Sequence, residues 1–315
     1  MKVLIAGATG AIGRPLVRAL VRQGHEVIGM TRTAAKRPLV ESLGARAAIA
    51  DALDGDGLAK VVAEVAPSHV VHLLTALPAA GPMRARDLRS TNALRVHGTA
   101  NLLRAAIGAR VSRIVAESFI GIYGRADFDR PRGEDAPLAS VPDGGFREAV
   151  LALRSLEEQL ARARESKQIE TVVLRYGGIY GPEVPSLQSL VHLLRSRRLF
   201  LPKSAANGVM SFVHVDDAAQ ATIGALAHPS PSPVYNIVDD EPMSLARFVD
   251  MLASSVGAPP PRTGPAWLFR LLAPLMVEAL AVRMPLSNAK AKRELRWQLA
   301  HPTLDIADCR LQIAN

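Results

Sequence analysis

The stretch that most constrains the fold is the N-terminal run from Met1 to Gly13. Val3, Leu4 and Ile5 form an apolar run long enough for a buried strand and too short for a helix. Glycines follow at positions 7, 10 and 13, and from Ile12 the apolar period changes, with Leu16, Val17, Leu20 and Val21 at helical spacing. Strand, glycine turn and helix together make the unit that receives a pyrophosphate. The first glycine permits the tight turn, the second lets phosphate approach the backbone, and the third lets helix and strand pack closely. Glycines also mark ordinary turns, but here they join a strand to an amphipathic helix. A dinucleotide is therefore expected against Gly7, Thr9, Gly10, Ala11, Ile12 and Gly13.

Strand and helix patterns alternate through the first half of the chain. This predicts an α/β fold: a Rossmann-type doubly wound parallel sheet with a smaller C-terminal substrate lobe. The expected strands cover 26–30, 47–50, 70–74, 113–116 and 171–174, with helices over 89–107 and 146–165 and a surface loop at 125–145. Beyond Pro182 the alternation loosens and prolines cluster. Residues 1–182 are read as the dinucleotide-binding domain, with later segments returning to it, and 183–315 as mainly the substrate lobe. Pro265–Val282 is the most apolar stretch, but Arg270, Pro274 and Glu278 interrupt it, so a core or lid helix pair is expected rather than a membrane span.

Composition narrows the partners. The formal charge is +9, yet basic residues are scattered, often beside acids, and aromatics make up only 4%. That leaves little for base stacking, so nucleic acid is not expected, although the charge helps to attract an anionic cofactor. Cys309 is the only cysteine, which excludes an intrachain disulfide and fits a reducing cytoplasm. The sequence opens directly on a strand pattern, so a secretory signal is not expected. No metal-ligand motif stands out, and nothing in the sequence fixes an oligomeric state.

Several further motifs carry a family resemblance. They are Val71 to Leu73, Asn92 with Gly98, Thr99, Asn101 and Leu103, Leu174 to Tyr176, and Ile179 to Pro182. Phe212 to Asp217, Tyr235 with Asn236, and Asn288 to Leu295 continue the series. With the glycine turn they resemble, over nearly the full length, an extended short-chain dehydrogenase/reductase, the superfamily of nucleotide-sugar epimerases and dehydratases. The resemblance implies adenine contact at Asp51 and Ala52. It puts Leu74, Thr75 and Ala76 beside the phosphates and ribose, with Asn92, Tyr176 and Gly178 also in the cofactor site. Asn92, Asp216 and Asp217 could equally be structural hydrogen-bonding groups.

The resemblance breaks at the chemistry. The family pairs a Ser or Thr with a Tyr and a Lys four residues later. Here those positions fall on Phe119, Val150 and Arg154, with Ser118 one residue before Phe119. Ser118 is left as a weak catalytic candidate, and Phe119, Tyr123 and Val150 as substrate-lining residues. At the end of the second strand, where an acid would bind an NAD ribose, stand Thr31 and Arg32, with Arg37 close behind. A guanidinium in place of a carboxylate suits a 2′-phosphate, so NADPH is expected in preference to NADH.

Among such proteins the chain most resembles ketoreductases that tailor polyketide antibiotics, angucyclinones included. The expected activity is NADPH-dependent reduction of a carbonyl on an aromatic substrate, with the substrate assisting its own protonation. Alternatives are a cofactor-binding sensor without turnover, or a sugar-nucleotide epimerase or dehydratase using Tyr123, Tyr176 or Tyr180.

Overall fold

The computed structural model describes residues 1–280 and 282–304; Cys309 lies outside the described residues. The chain runs β1 (Lys2–Ala6), α1 (Gly13–Arg22), β2 (Glu26–Thr31), α2 (Arg37–Ser42), β3 (Arg46–Ile49), α3 (Gly55–Val65) and β4 (His69–His72). It continues through α4 (Arg89–Ala93), α5 (Thr99–Gly108), β5 (Arg113–Phe119), α6 (Arg147–Glu165) and β6 (Glu170–Tyr176). Next come β7 (Gly178–Tyr180), α7 (Pro185–Arg195), β8 (Phe200–Pro202), β9 (Phe212–His214), α8 (Val215–Ala227) and β10 (Val234–Ile237). The last elements are α9 (Leu245–Ser255), β11 (Arg262–Gly264), α10 (Ala266–Leu272), α11 (Pro274–Ala279) and α12 (Ala289–Glu294).

Seven strands form one parallel sheet in the order β10-β6-β5-β4-β1-β2-β3. The central strands are apolar on both faces, as a sheet covered on both sides requires. One face packs on α1 and α8, where Leu16, Val17 and Leu20 are fully buried beside Val3, Ile5 and Val71. The other face takes Leu58 and Val62 of α3, Leu102 of α5, and Leu156 and Leu160 of α6. Each such side chain contributes about 1.5–3 kcal/mol by leaving water. Strand order reverses between β1 and β4, and in open α/β sheets the ligand crevice lies outside the carboxyl ends at that point.

The lobe beyond β6 contains two small parallel pairs, β7 with β9 and β8 with β11. It is tied to the sheet by α8 and by β10, which pairs with β6. Asp217 is structural: its carboxylate accepts the backbone N–H of Ala300 and His301, and its carbonyl accepts the Trp297 indole. Asn288 donates to the carbonyl of Val238 and to Asp240. Among the described residues no helix is long and apolar enough to cross a membrane.

Two elements differ from the sequence expectation, and a third, the helix pair expected over 265–282, is found as expected. The strand expected to reach Leu74 stops at His72, because the His72 ring accepts the Leu74 N–H and turns the chain away. The helix expected over 89–107 is interrupted by a π-helical turn, Leu94–Gly98, between α4 and α5. The apolar 265–282 stretch is a pair, α10 and α11, with Pro274 opening the second helix, where the missing N–H costs nothing.

Candidate active site

The glycine turn shows three different constraints. Gly7 has φ +100°, and a Cβ there would lie 2.5 Å from the Leu73 carbonyl oxygen at the end of β4. A Cβ on Gly13 would lie 2.2 Å from the Gly7 oxygen. Gly10 is exposed, and its nearest neighbour for a Cβ is the Gly7 oxygen at 3.2 Å. The first and third glycines are therefore required by the protein's own packing. The second leaves an open cradle at the N-terminus of α1, whose first turn carries no acid.

At the end of β2, Thr31 is buried while Arg32 and Arg37 are exposed, with no carboxylate at the ribose position. Asp51 accepts the Leu53 N–H at 3.0 Å, and the Ala52 carbonyl accepts the Asn101 amide at 2.9 Å. Beyond β4, the Ala76 N–H donates to the Thr91 hydroxyl at 3.0 Å, which fixes the Leu74–Ala76 loop against α4. The buried Asn92 side-chain oxygen on the same helix has no partner among the described residues. An open glycine cradle, a basic strand end and an unsatisfied buried acceptor together fit a phosphate- and hydroxyl-rich dinucleotide.

His72 sits behind that loop. Its Nε2 meets the Thr99 hydroxyl at 2.9 Å while Nδ1 accepts from Leu74, and burial, with Arg95 nearby, holds its pKa down to about 4. It is a neutral structural histidine.

Strand alternation separates the residues at the end of β5. Ser118 points to the α6 face, is 1% exposed, and donates to Glu157 at 2.6 Å. Glu157 also receives a bidentate pair from Arg175, at 3.0 and 2.7 Å. Arg175 in turn donates to the Tyr123 hydroxyl, and Tyr123 donates to the Asn236 side-chain oxygen. Burial raises the Tyr123 pKa. The network ties β5, α6, β6 and β10 together, and it commits both the Ser118 and the Tyr123 hydroxyls to other protein groups.

Tyr176 is similarly enclosed, with its hydroxyl 2.7 Å from that of Thr222 and its pKa raised by burial. Gly178 donates its N–H to the Ser211 carbonyl. Tyr180 is fully buried beside His214.

The positions of the family's proton relay hold no acid. Val150 is 2% exposed in α6, and the Arg154 guanidinium donates to the Ala139 carbonyl. Phe119 is half-buried, on the opposite side of β5 from Ser118. The start of α6 is roofed by α11: Leu275 packs with Ala149 and Leu88, and the Gly145 N–H donates to Glu278. Phe119 packs against the apolar cluster of Ile120, Ile122 and Leu153. Glu157, Thr91 and Asn101 were missed as site residues by sequence reasoning. Asn101 belongs to a recognised motif; the other two carry no motif signal.

These features define a nucleotide-binding Rossmann enzyme of extended type. The NAD dependent epimerase/dehydratase family profile matches residues 3–238, and the chain belongs to that family. It is 38% identical over 312 residues to a 3-diazoavenalumate denitrifying reductase from Streptomyces sp, covering 96% of this chain and 97% of the relative. It is 27% identical to a 4-hydroxy-2-methyl-3-oxo-4-farnesyl-3,4-dihydroquinoline-1-oxide ketoreductase from Stigmatella aurantiaca, over 82% of this chain and 74% of the relative. Among solved structures it is similar to the Thermus thermophilus UDP-glucose 4-epimerase in complex with NAD. That match has a TM-score of 0.78 and 25% identity, and covers 99% of this chain and 97% of the other.

Proposed function

We propose that this chain is an NADPH-dependent reductase of an aromatic, phenol-bearing small molecule whose own structure replaces the missing proton relay. Reductase relatives support the oxidoreductase class. The observation that carries the narrower reading is that Val150 is buried where the family's acid should stand. Bound reduced nicotinamide supplies a hydride. The glycine cradle holds its phosphates, Arg32 takes the 2′-phosphate, and the Leu74–Ala76 loop with Asn92 orients the ribose. Half-buried Phe119 presents apolar surface to a flat ring, with Val150 buried behind it, and the lobe from 183 onward closes over it.

Two substrate types meet this requirement. In a ketone flanked by a phenol, as in aromatic polyketides, the phenol donates to the developing alkoxide, and a fixed intramolecular donor acts at high effective concentration. That is the ketoreductase reading, with a role in antibiotic biosynthesis. The Streptomyces relative's name, a denitrifying reductase of a diazo compound, favours a second type, in which the phenol-bearing ring carries a diazo group. Replacing a ring diazo group by hydrogen forms a C–H bond and releases N₂, so no alkoxide arises that needs a protein acid at the tyrosine position.

The test is NADPH oxidation with an ortho-hydroxyaryl ketone and with an ortho-diazophenol, using cofactor deuterated at the nicotinamide C4. Deuterium on the carbinol or ring carbon of the product supports the reading. The ketone reading also requires that its methyl ether be inert. If both substrates leave NADPH untouched while UDP-glucose is interconverted, the sugar-nucleotide reading replaces this one.

A further inference from the structure

Glu117 lies at the carboxyl edge of the sheet and has no role in the account above. Its register neighbours are Leu174 on β6 and, one step past the His72–Ala116 pairing, Leu73 beyond β4. Alternation places it on the face of Val115 and Leu174, which is the α1 face that carries the glycine turn. Leu73 is the residue whose carbonyl abuts Gly7. Gly7, Leu73 and Glu117 therefore form a line across neighbouring strands, about 10 Å from β1 to β5 at the usual strand spacing. Arg32 and Asp51 lie the other way, past β2 and β3. A dinucleotide with its pyrophosphate on the glycine turn and its adenosine over β2 must lay its nicotinamide half toward β4 and β5.

Glu117 is half-buried, and neither it nor Arg95 has a hydrogen-bond or ion-pair partner among the described residues. Arg95 is 7% exposed and sits on the π-helical turn, an irregularity common at functional sites. It acts electrostatically on both Glu117 and His72. The other titratable groups around Glu117 are neutral: His72 past β4, and Tyr176 on β6 with its hydroxyl held by Thr222.

Resting on the cofactor site described above, we propose that Glu117 is the charge-compensating residue for the nicotinamide, protonated in part beside the reduced ring and ionised beside the cationic oxidised ring. Its O–H bond breaks as the neighbouring ring acquires positive charge, the proton leaves to solvent, and the carboxylate faces the cation. Exchange of oxidised for reduced cofactor reverses the step. Burial pushes the Glu117 pKa up to about 7, with Arg95 opposing. An opposite charge within hydrogen-bonding range lowers a carboxyl pKa by roughly 1–3, enough to ionise the group at neutral pH. Glu117 is thus a positioning and charge-balancing residue, and it requires no acid at the tyrosine position.

The test uses cofactor binding alone. NADP⁺ and NADPH are titrated calorimetrically at pH 7 in two buffers of different protonation enthalpy. The 2′-phosphate is common to both ligands and cancels in the difference. Binding of NADP⁺ should release about half a proton more than binding of NADPH, because a group with its pKa near the working pH is half protonated. The ratio of NADP⁺ to NADPH affinity should also rise as pH rises toward neutrality, the 2′-phosphate cancelling in it as well. Glu117→Gln should bind both ligands and erase the difference. Arg95→Met should move the wild-type step to higher pH, since Arg95 opposes protonation. Equal proton release in the wild type overturns the proposal, and so does a difference that survives in Glu117→Gln. The wild-type measurement decides even if a variant does not fold. No substrate is used, so failure of the aromatic substrates would be a separate result.

Discussion

Two glycines of one turn should fail in opposite ways when a side chain is added. In Gly7→Ala the new Cβ meets the Leu73 carbonyl oxygen at 2.5 Å, and φ is +100°. The left-handed backbone costs about 1–2 kcal/mol for a non-glycine residue. Forcing apart two packed backbones adds about 1–3 kcal/mol. The sum, about 2–5 kcal/mol, corresponds to a Tm lowered by roughly 3–8 °C in a chain of this size. In Gly10→Val the backbone term is absent and the steric one is smaller: the position is exposed, and its nearest neighbour, the Gly7 oxygen at 3.2 Å, has to give by only a few tenths of an ångström. Stability should stay within about 0.5–1 kcal/mol of wild type. Yet the branched side chain stands where the pyrophosphate must approach, and a steric conflict of about 1–3 kcal/mol weakens binding roughly 5- to 150-fold. Thermal melts and NADPH titration of both variants read the two effects separately. Normal NADPH affinity in Gly10→Val would refute the placement of the phosphates. An unchanged Tm in Gly7→Ala would refute the close contact with Leu73 as a constraint.

Arg32→Ala should weaken NADPH binding by about 1.5–3 kcal/mol, the scale of a charge-assisted hydrogen bond, and leave NADH binding unchanged; calorimetry with both cofactors checks this. Glu157→Ala strands the buried Arg175 guanidinium and should cost about 3–5 kcal/mol in a urea melt. Ser118→Ala, which removes one hydrogen bond to the same carboxylate, should cost only about 1 kcal/mol and keep most reductase activity. Asp239 is buried, and its pKa is pushed up to about 8 by burial and by acidic neighbours. Its folded pKa exceeds the unfolded value, so ionising it works against the fold. That penalty is absent at low pH and grows as pH rises from the ordinary aspartate range to about 8. Asp239→Asn should therefore gain Tm over wild type progressively across that window, and a gain independent of pH would contradict it.

The cofactor half of the site was legible in the sequence because it is local. Gly7, Gly10 and Gly13 report on one turn, and Thr31 with Arg32 follows one strand, so spacing along the chain carries the information. The network of Ser118, Glu157, Arg175, Tyr123 and Asn236 was not legible, because it joins four elements that only the strand order brings together. Strand alternation also decides what sequence proximity hides. Ser118 and Phe119 are adjacent in the chain but face opposite sides of the sheet, so a serine beside the expected position does not substitute for one at it. Arg95 escaped for another reason: the helical period predicts a regular helix over 89–107, and the π-helical turn that carries Arg95 does not register in that period.

The position of β10 has a consequence for biosynthesis. This strand closes the sheet on the outer side of β6, and its Asn236 completes the hydrogen bonding of Tyr123, yet it emerges only after α8. Until residue 237 has left the ribosome, the β6 edge presents unpaired backbone groups to any other extended chain. A nascent chain cut at the end of β6 has its glycine turn but an open sheet, so the nucleotide-binding half is not a module to be expressed alone. Folding must wait for a contact spanning many residues, which slows it, and the intervening interval is when a chaperone would be needed.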